Sequence, residues 1–274
     1  VIGLTVVSFA TSAPELIVSI YSSLTRHSDI ALGNVIGSNI ANISLVLGLT
    51  AFIFPLPFQS RLYRFHLPVM LFASALFAVF LYSNYCLNFF EGLSFVLLLF
   101  ILTLYLIRRS QNNDNVSYDK SMDQSSLIKL LFYIILGGFF LYIGSYWLVD
   151  GASGIARTIG ISERIISVSI ISFGTSVPEL TACIIAAFKK KKDLSIGNLI
   201  GSNIFNIFAV LGITSMIQPI QVIDEGLIHN DVWWMFGVAL LLYPLMFFFH
   251  KSHIGRLEGF LLLLFYFFYI ILLF

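Results

Sequence analysis

One segment of this chain occurs twice. Residues 8–50, SFATSAPELIVSIYSSLTRHSDIALGNVIGSNIANISLVLGLT, and residues 172–214, SFGTSVPELTACIIAAFKKKKDLSIGNLIGSNIFNIFAVLGIT, align without a gap at a constant offset of 164. Counted from Gly3 and Ser167, roughly 22 of 48 positions are identical. Repeats of a transporter type usually retain only weak symmetry, so this duplication is not a chance match. Whatever the first copy folds into, the second must fold into as well.

The solvent for both copies is apolar. The 274 residues are 58% hydrophobic and 11% charged, and the mean hydropathy is +0.94. A soluble domain carries about 25% charged residues. This chain could not cover a water-facing surface, and it reads as an all-α polytopic membrane protein. A formal net charge of +1, with basic residues in short clusters, argues against nucleic acid as a partner. Cys86 and Cys183 do not suggest a structural disulfide, and the five histidines lack metal-ligand spacing. Runs long enough to span a bilayer, about 20 residues each, are predicted over 2–24, 31–54, 66–83, 89–107, 127–150, 163–188, 195–219, 231–250 and 254–274. The polar stretch between the fourth and fifth reads as a flexible connector.

The chain therefore divides into a first repeat over 1–109, a linker over 110–126 and a second repeat over 127–274. Placing the linker in the cytoplasm puts about twelve of the 15 Lys and Arg residues inside. Arg26, Arg157 and Arg164 fall outside, as does the acidic turn Asp224 to Asp231. On this orientation the turn around Arg26 to Asp29 and its copy around Lys189 to Asp193 lie on opposite faces, so the two repeats are inverted. Inverted repeats with interrupted helices mark secondary transporters that alternate access around a shared central site. The span 127–150 has no counterpart after Val1. About nine helices are thus expected here, of a ten-helix protein with one helix further upstream.

Two ionisable side chains sit deep inside predicted spans, Glu15 and Glu179, at equivalent places in the copies. A carboxylate in hydrocarbon is costly and marks an ion pathway. The less specific reading, a Glu satisfied by neighbouring helices, does not explain why the placement recurs in register. Pro14 and Pro178 stand immediately before these glutamates. Each lacks an amide donor, which frees carbonyls near Ala10, Thr11, Gly174 and Thr175. Taken alone, each proline would be an ordinary kink; beside a Glu and a Thr-Ser pair it supplies oxygens. The segments GNVIGSNIANI and GNLIGSNIFNI carry Gly-x-x-x-Gly spacings for close helix approach. They also place Ser38 and Asn42, and Ser202 and Asn206, four residues apart on one helix face. Some of these polar groups serve only helix packing. Together the set is an all-oxygen environment suited to Ca²⁺ or Na⁺, with no thiolate or imidazole. Cys183 reads as a small packing residue, and no nucleotide-binding motif appears.

At these residues the chain resembles the cation/calcium exchanger superfamily, most closely its sodium/calcium exchanger branch in bacterial form. The carrying motifs are ATSAPEL and GTSVPEL, each followed by GN-x-x-GSN-I-x-N. The resemblance implies a ten-helix inverted-repeat antiporter in a bacterial or archaeal plasma membrane, moving Ca²⁺ against Na⁺. It implies that Glu15 and Glu179 bind both ions and that the carbonyls of Thr11 and Thr175 help hold Ca²⁺. Ser12 and Ser38 with Glu15, and Ser176 and Ser202 with Glu179, would build flanking Na⁺ sites, with Asn42 and Asn206 lining the middle. Potassium-dependent members carry Asp where this chain has Asn206, which weakens the expectation of K⁺ co-transport.

Beyond Ca²⁺, Na⁺ and the bilayer, no cofactor and no obligatory protein partner is expected. The nearest alternative is H⁺/Ca²⁺ exchange, because a buried glutamate can titrate near neutrality. A passive cation channel has no need of two inverted copies. An intramembrane enzyme would require a base that the motifs around Ser12 and Ser176 do not contain.

Overall fold

The duplicated prolines set the first local event. A proline ring clashes with the carbonyl four residues back and offers no donor. In both copies the helix stops just ahead of the proline and restarts with it in the new first turn. Ser8–Thr11 gives way to Ala13–Leu24, and Ser172–Thr175 gives way to Val177–Phe188. The joints are Ser12 (φ −87°, ψ 8°) and Ser176 (φ −84°, ψ 0°), which share the sparsely populated bridge conformation. The computed structural model describes residues 8–57, 62–111, 127–189, 192–248 and 253–274.

Those residues form nine helical rods, designated here α1 (8–24), α2 (Ser28–Ile53), α3 (Leu62–Asn84), α4 (Phe89–Gln111), α5 (Leu127–Ile159), α6 (Glu163–Phe188), α7 (192–217), α8 (227–248) and α9 (Arg256–Leu273). Seven of them are long and apolar enough to cross a membrane. Most boundaries lie within a few residues of the sequence expectation. The exception is α5, which runs unbroken for 33 residues to Ile159, so Asp150 and Arg157 are helical. The first residues of the first span, most of the linker (from 112 on) and Lys190 and Lys191 lie outside the described residues.

The repeat governs packing as well as local structure. Two short antiparallel strand pairs join the copies: Leu56–Pro57 with His253–Ile254, and Cys86–Leu87 with Ile220–Gln221. Each therefore links the strand after a GSN-bearing helix (α2 or α7) to the strand before the last helix of the other copy. The helices follow the same exchange. The end of α2 crosses α9 at Gly48 and Gly259, and the end of α7 crosses α4 at Gly212 and Gly92. A Cβ at Gly259 would sit 2.6 Å from the Gly48 carbonyl, and one at Gly92 would sit 2.6 Å from the Gly212 carbonyl. Backbones this close require glycine, and close approach is what holds helices together in lipid.

The core lies where α2 and α7 meet. Some 78% of the apolar window of each is buried, against 17% for α4 and 18% for α5. Ile36, Ile40, Leu199 and Ile207 are fully enclosed there. A satellite cluster of Val18, Ile30, Val149, Ala152, Ile166 and Ile171 joins α1, α2, α5 and α6.

The acidic turn holds the main departure from expectation. Asp231 does not face water as a loop residue; it is fully buried at the start of α8. Arg164 Nε and Nη2 donate to its two oxygens at 2.6 and 3.0 Å, and the Tyr269 hydroxyl donates at 3.2 Å. Asp29 is likewise buried and accepts from the amides of Ile223 and Asp224, both at 2.9 Å. Sequence patterning missed these residues because each stands at a helix end, where exposure is the ordinary expectation.

Candidate functional site

Glu15 and Glu179 occupy the first turn of the restarted helices, and neither has any exposed surface. The break that each proline causes therefore sets a carboxylate at the joint and leaves the preceding half-helix pointing its carbonyl end at the same place. Both features favour a cation.

The surrounding hydroxyls come from both copies. Ser12 Oγ and Ser202 Oγ donate to Glu179 Oε1 at 3.2 and 3.4 Å. Thr11 Oγ1 lies 3.5 Å from Ser202 Oγ. The Ser38 and Thr175 hydroxyls lie beside Glu15, yet they bond to each other at 3.1 Å, and Thr175 also donates to Asn34 Oδ1 at 3.0 Å. Ser12, expected beside Glu15, instead reaches across to Glu179. It stands at the joint between the two half-helices of α1, where α1 packs beside the equivalent joint of α6.

Two asparagines outside the expected set organise the middle. Asn42 Nδ2 donates to Asn203 Oδ1 at 3.0 Å, and Asn206 Nδ2 donates to Asn39 Oδ1 at 3.1 Å. Both amide groups are thus used as donors toward the partner helix, which leaves Asn42 Oδ1 and Asn206 Oδ1 as unpaired acceptors. The backbone assists. In both copies the chain passes into a π-helical stretch there, Ala41–Leu47 and Asn206–Leu211. Such widened turns recur at functional sites because they rotate side chains out of the regular register. Asn39 and Asn203 were visible in the motif; their role was not, because it depends on which helix faces which.

All ten expected residues except Thr11 are buried, and Thr11 is half-buried. Six buried oxygens in this region accept no hydrogen bond from the protein: both of Glu15, Glu179 Oε2, Asn42 Oδ1, Asn206 Oδ1 and Ser176 Oγ. Unpaired buried acceptors are rare and costly. Six of them in one region, three being carboxylate oxygens, fit a hard cation that takes oxygen ligands. Among the described residues no group of three or more His, Cys, Asp or Glu side chains forms, so the donor set does not suit zinc or copper. Cys86 and Cys183 are free thiols; Cys183 bonds to the Ser195 carbonyl at 3.5 Å and holds α6 against α7.

Helices of this length and apolarity, interrupted at depth around buried carboxylates, define an integral multi-pass membrane protein. A family model described as "Sodium/calcium exchanger protein" matches residues 1–108 and 129–274. The chain is 36% identical to the putative antiporter CaxA of Alkalimonas amylolytica, over 96% of this chain and 84% of that one. It is 30% identical to the sodium/calcium exchanger MaX1 of Methanosarcina acetivorans, over 100% of this chain and 88% of that one. A solved structure of the sodium-calcium exchanger NCX_Mj superposes with a TM-score of 0.71 at 32% identity, covering 98% of this chain and 85% of that one. The chain belongs to the sodium/calcium exchanger family, and its activity class is cation/Ca²⁺ exchange.

Proposed function

We propose that the protein is a secondary antiporter that exchanges Na⁺ for Ca²⁺ by alternating access at the Glu15–Glu179 centre. The observation that carries this reading is the set of six unpaired buried oxygens, three of them from the two carboxylates, at the meeting of two interrupted helices. Two carboxylates are neutralised by one Ca²⁺ or by about two Na⁺ competing for the same oxygens. Because only a loaded, neutralised centre changes access cheaply, occupancy by one ion excludes the other and couples their flows.

In this reading Glu15 and Glu179 bind both ions, and the carbonyls of Thr11 and Thr175 help hold Ca²⁺. The hydroxyl groupings suggest two flanking Na⁺ positions, one with Ser12 and Ser202 around Glu179 and one with Ser38 beside Glu15; Ser176 Oγ, expected with Glu179, adds an unpaired oxygen at the second joint. Asn42 and Asn206 line the middle through their free carbonyl oxygens. Two carboxylates with asparagine at 206 do not call for K⁺.

The test is Ca²⁺ uptake into proteoliposomes under Na⁺, K⁺ and H⁺ gradients imposed separately. Uptake driven by an outward Na⁺ gradient alone is expected. Uptake that follows a pH gradient with Na⁺ absent would establish H⁺/Ca²⁺ exchange instead, and flux indifferent to every counter-ion would establish a channel.

A further inference from the structure

Away from the centre, two grooves meet at the C-terminal end of α4. The first, of about 280 Å³, runs between α3 and α4 over Val69, Phe72 and Leu98, with Phe208 of α7 as its floor. The second, of about 510 Å³, is lined by Leu104, Arg108 and Arg109. Ile101 and Tyr105 line both, so an apolar trough opens into a cationic mouth.

The mouth is built rather than merely charged. Arg109 Nη1 donates to the Tyr105 hydroxyl at 2.6 Å, and its guanidinium lies 5.8 Å over the same ring. Tyr105 is held in turn by Phe65 at the start of α3, ring centroid to ring centroid 5.1 Å. An arginine at a membrane-helix end normally extends outward to carry its charge to water. Arg109 is tethered one turn back along α4, to a tyrosine that lines both grooves. Only one of its five N–H donors is used by this contact. Among the described residues, neither Arg108 nor Arg109 makes an ion pair with an acid.

We infer that this corner binds one anionic phospholipid, with Arg108 and Arg109 on the headgroup phosphate and an acyl chain in the α3–α4 trough. Charge complementarity selects the occupant. A guanidinium pairs with phosphate in a bidentate fork, whereas the ammonium of a zwitterionic headgroup is repelled by two adjacent arginines. Basic pockets between membrane helices bind anionic headgroups in this manner.

Lipid binding to the purified full chain tests the inference, using native mass spectrometry with phosphatidylglycerol and phosphatidylcholine of identical acyl chains. One phosphatidylglycerol is expected to bind roughly 30-fold more tightly than phosphatidylcholine, the effect of two interfacial arginines. Arg108→Gln/Arg109→Gln is expected to bring the two lipids to equal affinity. Tyr105→Phe, which keeps the ring and both charges but removes the tether, is expected to weaken phosphatidylglycerol alone by a smaller factor. Arg26→Gln, on a different turn, is expected to change nothing. Unchanged phosphatidylglycerol affinity in the double variant, equal affinity for both lipids in the unaltered protein, or an equal loss in Arg26→Gln would each overturn the site.

Discussion

Asn39 and Asn203, equivalent residues of the two copies, clasp each other across the centre. Asn203 Nδ2 donates to the Asn39 carbonyl at 3.1 Å, and Asn39 Nδ2 donates to the Asn203 carbonyl at 3.4 Å. Their side-chain oxygens meanwhile accept from Asn206 and Asn42. Four amides thus form a chain, Asn42–Asn203–Asn39–Asn206, whose unused acceptors are the terminal oxygens of Asn42 and Asn206. Asn39→Ala removes the acceptor of Asn206 Nδ2 and is expected to cost about 1–3 kcal/mol, the desolvation penalty of one orphaned buried donor. Thermal unfolding in detergent measures the loss. Ca²⁺ uptake should also weaken, because Asn206 is then free to turn its amide; unchanged uptake would show that the amide chain serves packing alone.

Glu15→Gln and Glu179→Gln should each bring Ca²⁺ uptake in proteoliposomes to background. Neither substitution should lower thermal stability, since each replaces a fully buried ionisable group by a neutral amide of the same shape. Persistent exchange in both variants would remove these residues from the transport centre.

Ca²⁺ should stabilise the folded protein if the unpaired oxygens are its ligands. At 100 times the dissociation constant the gain is about 2.7 kcal/mol, read as an upward shift in melting temperature. The shift should vanish in Glu15→Gln.

The Arg164–Asp231 pair fixes α6 to α8 and, through Tyr269, to α9. Asp231 is fully buried and the Arg164 side chain is 14% exposed. Removing one partner leaves the other charge stranded, so Asp231→Leu or Arg164→Met alone should cost about 3–5 kcal/mol. The double variant Arg164→Met/Asp231→Leu should recover most of that loss. Thermal unfolding of all three variants tests the coupling.

Glycines divide by crossing. Gly92→Ala and Gly259→Ala place a methyl 2.6 Å from a backbone oxygen and should each destabilise by about 1–3 kcal/mol. Gly144→Ala in α5, where a Cβ meets nothing within 4 Å, should be neutral or stabilising by up to about 1 kcal/mol. Equal effects at the two kinds of site would contradict the close helix crossings.

Much of this protein was determined by its sequence alone. Composition required a lipid environment, because no polar surface could be built from 11% charged residues. The duplication required two equivalent breaks, since Pro14 and Pro178 act on the backbone locally whatever surrounds them. Glu15 and Glu179 were legible for the same reason: a carboxylate within an apolar run is costly wherever the run packs.

Tertiary structure decided what depends on distance between segments remote in the chain. Ser12 hydrogen-bonds Glu179 of the other copy because α1 and α6 face each other, which no spacing reveals. Asp231 and Arg164, 67 residues apart, become a buried pair only when α6, α8 and α9 converge. The chain of amides through Asn42, Asn203, Asn39 and Asn206 exists only where α2 crosses α7. Periodicity and cost of burial are properties of a local segment. Pairing of a donor with an acceptor is a property of two segments, and packing alone brings them together.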